Sequence, residues 1–165
     1  MAFEILRRLL VFVAFCLAQV LVLNHVQLFH CATPLLYVYF AIIFPRGYPR
    51  WASLLWSFAL GLCVDVFSNM PGVACGSMTL VAFLQPYLLE LFLPRDAEEN
   101  IPCSATALGF GNFATLTVIL VLVYCLVFFT LETFNFFNWL FWIECVAGSA
   151  LLTLVLIFTL ERLRQ

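Results

Sequence analysis

The chain has 165 residues, of which 65% are hydrophobic and 10% are charged, and its formal net charge is −2. Soluble domains are about 45–50% apolar and about 25% charged, and a domain of this size leaves a large fraction of its surface exposed. The composition therefore excludes an ordinary water-soluble fold and predicts an integral membrane protein. No basic patch with interleaved aromatic residues is present, so the composition gives no support to nucleic-acid binding.

Apolar runs separated by short polar breaks follow one another along the whole chain. A helix needs about 20 apolar residues to cross a bilayer, with a range of about 17–25. The runs predict an all-α membrane protein, with six transmembrane helices in one bundle and a single domain over 1–165. The second run is short, so it is either less tilted than the others or partly re-entrant. The predicted spans cover residues 5–23, 31–44, 51–67, 72–93, 110–131 and 136–160, and a polar tail from Glu161 follows the last.

The arginines predict the orientation. With six spans, every basic residue falls in the N-terminus, the 45–50 loop, the 94–109 loop or the C-terminal tail, which all lie on one side. The positive-inside rule then places both termini in the cytoplasm. Any odd number of spans would break this partition. The basic residues are Arg7, Arg8, Arg46, Arg50, Arg95, Arg162 and Arg164.

Three polar residues within the predicted spans are candidate site residues. Asp65 ends the third span, and it either contacts a ligand or partner in an outward-facing pocket or caps the turn and helix that follow. Glu144 lies in the outer half of the last span, where it either shares a cavity with Asp65 or reaches the outer interface on its own. Gln85 precedes Pro86, which is expected to bend the fourth span, and is a third candidate for the wall of a pocket.

Small residues recur at the spacing of helix contacts. Ser57 and Gly61 are four residues apart on the third span, and Gly72 and Gly76 are four apart at the start of the fourth. Small residues at this spacing let helix backbones approach closely in lipid. We therefore expect Gly61, Gly72 and Gly76 to mark close packing around Asp65.

Aromatic residues crowd the turn between the last two predicted spans. They are typical of the aromatic belt at a membrane interface, and the alternative is a binding surface for another membrane or periplasmic protein. No nucleophile–base pair, metal-ligand spacing or phosphate loop is visible, so neither an enzyme nor a metal or other cofactor is predicted. The candidate partner surface consists of Phe134, Phe136, Phe137 and Trp139.

Residues 58–88 carry a resemblance to a known family. The pattern F-x-x-G-L-x-x-D is formed by Phe58, Gly61, Leu62 and Asp65. A break with Pro71-Gly72 and an apolar helix ending in Tyr87-Leu88 follow it. This pattern, together with the chain length and the six predicted spans, resembles the rod shape-determining protein MreD family.

The resemblance implies a non-enzymatic component of the bacterial elongation machinery in the inner membrane. Such proteins are associated with MreC, the actin-like MreB, RodA and a class B penicillin-binding protein. The family's fold is similar to that of the substrate-binding subunits of energy-coupling-factor transporters, which implies a bundle with an outward-facing cavity. The alternative hypothesis is a small-molecule or lipid-binding membrane subunit of a transporter. A membrane enzyme acting on lipid-linked precursors has the least support, because clustered acids or histidines at one interface are missing.

Overall fold

The computed structural model describes residues 2–22, 33–93, 103–133 and 138–164. Within these ranges the regular structure is helical, and none of the described residues forms a β-strand. The first helix continues directly into a π-helical turn at Ala18–Val22. The helices are α1 (Ala2–Leu17), α2 (Val38–Ile42), α3 (Arg50–Ser68), α4 (Val73–Phe92), α5 (Ala105–Leu108), α6 (Phe110–Glu132) and α7 (Trp139–Arg164).

Five helices among the described residues are long and apolar enough to cross a membrane. In each of these helices, between 6% and 39% of the apolar stretch is buried inside the protein. Most of their surface is therefore apolar and faces outward. Such a surface suits lipid and not water. The prediction of an all-α membrane protein is therefore confirmed at this level. The five candidate spans are Ile5–Val22, Arg50–Ser68, Val73–Phe92, Phe110–Glu132 and Trp139–Leu163.

The long helices pack side by side, and their contacts define two ends of the bundle. The most extensive contact joins α3 to α4, and α4 packs on α6 and α6 on α7. We call the end near the α3–α4 turn the hairpin end and the opposite end the arginine end. At the arginine end, guanidinium groups lie over aromatic rings, in the pairs Arg8–Tyr48 (3.9 Å), Arg50–Tyr87 (5.1 Å) and Arg162–Phe110 (5.7 Å).

The predicted second span differs from the other five. Its described part, residues 33–44, is irregular from Thr33 to Tyr37 and contains only the five-residue helix α2. We call residues 33–44 the central segment. Tyr37 to Ile42 are each at most 2% exposed. This stretch is apolar because it is buried inside the bundle, and not because it forms a lipid-facing helix.

Side chains of neighbouring helices satisfy the backbone of the central segment near the hairpin end. In the core of a bilayer, irregular backbone is tolerated only where it is buried in protein or lines a water-filled cavity. Two hydroxyls of α7 accept backbone N–H groups, and one amide of the π-helical turn donates to a carbonyl. The bonds are Thr33 N–H to Ser149 Oγ (3.1 Å), Leu35 N–H to Thr153 Oγ1 (3.0 Å) and Gln19 Nε2 to the Pro34 carbonyl (3.0 Å).

The central segment runs alongside α7 toward the arginine end. Tyr39 donates its hydroxyl to Glu161, whose other carboxylate oxygen accepts the N–H of Ala105 at 2.8 Å. Ser149 and Glu161 are about 18 Å apart along α7, at about 1.5 Å of rise per residue. Glu161 is only 3% exposed. Its assignment to a polar tail is therefore wrong, because the carboxylate serves as an internal acceptor.

We expect Thr153→Val to destabilise the protein and Thr159→Val to leave its stability almost unchanged. Both hydroxyls donate to the carbonyl four residues earlier, at 2.7 Å, but only Thr153 also accepts a bond from Leu35. Leaving the buried Leu35 N–H without a partner costs about 1–3 kcal/mol. Titration with sodium dodecyl sulfate in mixed micelles measures the free energy of unfolding. Equal stability of the two variants would contradict this role of Thr153.

Candidate functional site

Asp65 holds the start of α4. Its Oδ1 accepts the N–H of Ala74 at 2.8 Å, and its Oδ2 accepts those of Gly72 and Cys75 at 3.1 and 2.9 Å. The first N–H groups of a helix have no partner within the helix, and the positive end of the helix dipole favours a carboxylate there. The side chain is 5% exposed. Asp65 therefore caps α4 from the preceding helix, as one of the two interpretations from the sequence expected.

Two residues of the turn adopt left-handed backbone conformations. Asn69 ends α3 at φ 56°, and Gly72 precedes α4 at φ 89°. An added Cβ at Gly72 would meet no atom within 4 Å. Gly72 is therefore required for its backbone conformation, and the expectation that it marks a close packing contact is corrected.

Gly61 and Gly76 differ in how closely they are packed. A Cβ at Gly61 would lie 2.6 Å from Cys75 Cα and 2.9 Å from the Ala74 carbonyl oxygen, so the α3 backbone touches that of α4. The nearest atom to a Cβ at Gly76 would be Leu131 Cδ1 at 3.9 Å, which is an ordinary contact. Of the three glycines, only Gly61 allows two backbones to approach.

A cavity of about 320 Å³ lies at the hairpin end, between the central segment, α3 and α6. Asp65 and Tyr37 are in its wall, and the π-helical turn contributes Gln19. No sequence pattern indicated which face of α6 lines the cavity, because the apolar residues of that helix lie on all its sides. The α6 residues in the wall are Phe128, Phe129 and Glu132.

Glu144 and Gln85 do not join Asp65 in this cavity. Glu144 is exposed, on the same face of α7 as Leu140 and Leu151, which are 79% and 65% exposed. Of the two interpretations of Glu144, the cavity shared with Asp65 is therefore wrong, and the exposed position fits the other one; the second acid in the described wall is Glu132.

Gln85 lies on the arginine side of α4, beside a smaller cavity of about 50 Å³. Its Nε2 donates to the carbonyls of Ile42 and Phe44 at 3.3 and 3.1 Å, so the amide fixes the end of the central segment. The helix continues through Pro86 to Phe92. Gln85 is therefore a structural donor in the described fold, and it is only 4% exposed.

The candidate aromatic surface is described only in part. Trp139 begins α7 and is 64% exposed, and its ring lies 6.1 Å from that of Trp142 in an edge-to-face arrangement. Phe134, Phe136 and Phe137 lie outside the described residues. No group of three or more His, Cys, Asp or Glu side chains that could hold a metal ion occurs in the described part of the chain.

No family model, curated protein or solved structure matches the chain. Functional conclusions for this protein therefore depend on the geometry of the α3–α4 hairpin and of the cavity, together with the sequence pattern of residues 58–88.

We expect Asp65→Ala to destabilise the protein by about 3 kcal/mol, because three backbone N–H groups lose their acceptor. The matched control is Glu144→Ala, which removes an exposed acid and should change the free energy of unfolding by less than about 0.5 kcal/mol. Unfolding in mixed micelles compares the two variants. An Asp65→Ala protein as stable as the Glu144→Ala protein would show that the cap does not hold the hairpin.

Gly61→Ala and Gly76→Ala should have opposite outcomes. The added methyl at Gly61 collides with the α4 backbone and should cost about 1–3 kcal/mol by overpacking. At Gly76 the methyl has room, and alanine should stabilise the helix by up to about 1 kcal/mol. Thermal unfolding in detergent micelles separates these results. A neutral Gly61→Ala variant would rule out the close approach of α3 and α4.

Proposed function

We propose that the chain is an MreD-like membrane scaffold of the bacterial cell-wall elongation complex, located in the inner membrane. In this function it binds MreC, with MreB, RodA and a class B penicillin-binding protein as further candidate partners, and so controls cell shape. It acts by binding and not by catalysis. The observation that carries the proposal is the α3–α4 hairpin, in which the residues of the family-like pattern form one structural unit.

Each residue of that pattern has a distinct position in the hairpin. Gly61 and Asp65 point inward. Gly61 allows the backbone contact with α4, and Asp65 caps the start of α4. Phe58 and Leu62 point outward and are 45% and 48% exposed. An inward half that fixes the hairpin and an outward half that is free to contact a partner are what a scaffold requires.

Six membrane crossings fit the described contacts. The central segment joins the level of Ser149 to that of Glu161, and so it would serve as the second crossing without being a lipid-facing helix. Arg8, Arg50 and Arg162 lie at the arginine end. The positive-inside rule would turn this end to the cytoplasm, with the hairpin end and the cavity facing outward.

The outward stripe of α3 is our candidate contact for the membrane helix of MreC. Phe58, Leu62 and Val66 follow one another at four-residue spacing, which places them on one face of a helix. They are 45%, 48% and 70% exposed. The exposed Trp139 of α7 is a second candidate contact, at the level of the membrane interface.

The double variant Phe58→Ala/Leu62→Ala should weaken co-purification of MreC about tenfold, which corresponds to about 1.4 kcal/mol for truncating two apolar residues of the interface. The matched control is Leu151→Ala/Val155→Ala on α7, where both residues are apolar and 65% and 56% exposed. In cells depleted of the protein, the control should restore the rod shape and the α3 variant should leave cells round and swollen. Normal growth and shape after depletion would refute the proposed function.

A second candidate function is a small-molecule or lipid-binding subunit of a membrane transporter. The cavity at the hairpin end favours it, because small-molecule sites are typically clefts of about 300–1,000 Å³ with a few converging polar groups. At about 320 Å³ the cavity is at the small end of this range.

A further inference from the structure

One face of α6 forms an acidic and aromatic wall in the cavity. Phe128, Phe129 and Glu132 all line it, and residues three and four apart on a helix are neighbours on its surface. The carboxylate of Glu132 therefore lies one turn beyond the two phenyl rings, on the same side. The opposite walls come from the central segment and from the end of α3.

The described lining of the cavity carries negative charge. Its described lining contains Asp65 and Glu132 but neither an arginine nor a histidine. Three backbone N–H groups compensate the charge of Asp65. Glu132 is exposed, and no described residue forms a hydrogen bond or an ion pair with it, so within the described part of the wall its charge has no partner in the protein.

The position of Glu132 is unfavourable for a carboxylate. It is the last residue of α6, and the carbonyl groups at the end of a helix carry a partial negative charge that repels an anion. A cation bound in the cavity would relieve this repulsion and pair with the carboxylate at the same time. The negative end of the α6 dipole thus disfavours the charge of Glu132, and a bound cation would stabilise it.

The aromatic rings beside Glu132 are held in a fixed arrangement. Phe128 stacks on Tyr124 with ring centroids 5.7 Å apart, and its edge-to-face contact with Phe129 is at 5.4 Å. The hydroxyl of Tyr124 is hydrogen-bonded to that of Tyr37 across the bundle. Faces of aromatic rings attract ammonium groups, most strongly where water is excluded.

The π-helical turn contributes a polar group to the same cavity. Within Ala18–Val22, Gln19 is the buried residue, and its amide reaches the Pro34 carbonyl beside the cavity. Thr33 and Ser68 add hydroxyl groups to the wall, so the cavity offers hydrogen-bond partners as well as charge and aromatic surface.

We propose that this cavity binds a small organic cation, an ammonium group that carries an apolar substituent. The ammonium lies between the Glu132 carboxylate and the ring of Phe128, and the substituent packs against Phe67 and Met70 at the rim. This site rests on the cavity of the second candidate function and is independent of the scaffold proposal.

The test uses the full chain in maltoside micelles, which contain no competing ammonium groups, and isothermal titration calorimetry. The probes are benzyltrimethylammonium, neutral benzyl alcohol and anionic benzoate, which share one ring and differ in charge. We expect the ammonium to bind about tenfold more tightly than the alcohol, and benzoate to show no saturable binding.

Variants assign the binding to this wall. Glu132→Gln keeps the shape of the side chain and should weaken binding of benzyltrimethylammonium about five- to tenfold. Phe128→Leu should weaken it about threefold through the lost ring face. Glu144→Gln removes an exposed acid of α7 outside the described lining of the cavity, and its affinity should stay within about twofold of the parent protein.

Unchanged affinity in Glu132→Gln would overturn the proposal, as would an equal loss in Glu144→Gln. Equal saturable binding of the ammonium and the alcohol would overturn the charge preference but retain a ligand-binding cavity. No saturable binding of any probe would overturn both this site and the second candidate function. None of these results depends on whether MreC co-purifies with the chain.

Discussion

The fold depends on hydrogen bonds that side chains donate to, or accept from, the backbone of the central segment. No water reaches lipid-surrounded backbone, and each unsatisfied group there costs several kcal/mol. The five-residue α2 satisfies only part of residues 33–44 internally. Gln19, Gln85, Ser149 and Thr153 supply bonds that three different long helices must bring into place. The backbone groups of the central segment that have no internal hydrogen-bond partner therefore fix the positions of these helices.

Carboxylates also accept hydrogen bonds from buried donors at the two ends of the bundle. Asp65 accepts three N–H groups at the start of α4, and Glu161 accepts the Tyr39 hydroxyl and the Ala105 N–H near the end of α7. An ionisable side chain within a membrane is costly unless it has such partners. Asp65 and Glu161 are therefore buried acceptors that hold backbone, whereas Glu132 and Glu144 are exposed acids at the hairpin end.

The sequence predicted the five long helices and gave the cap at Asp65 as one of two interpretations, because both leave local signals. The apolar runs indicate the lengths of the helices, and Asp65 lies just before a turn that contains Asn, Pro and Gly. It could not predict the central segment, since an apolar stretch buried in protein has the same composition as one facing lipid. The sequence could not choose between the two interpretations of Glu144 either, because α7 is apolar around its whole circumference and no pattern indicates which side faces outward. The partners of Glu161, more than 50 residues away, depend on the finished bundle.

The long sequence separation between the central segment and α7 has a consequence for biosynthesis. Thr33 and Leu35 bond to hydroxyls 116 and 118 residues later in the chain. When residues 33–44 leave the ribosome, the helix that will satisfy their backbone has not yet been made. The early part of the chain must therefore wait, incompletely folded, until the last helix has entered the membrane. The bundle is therefore completed only when α7 is in place. In a chain that stops before α7, these N–H groups have no described partner.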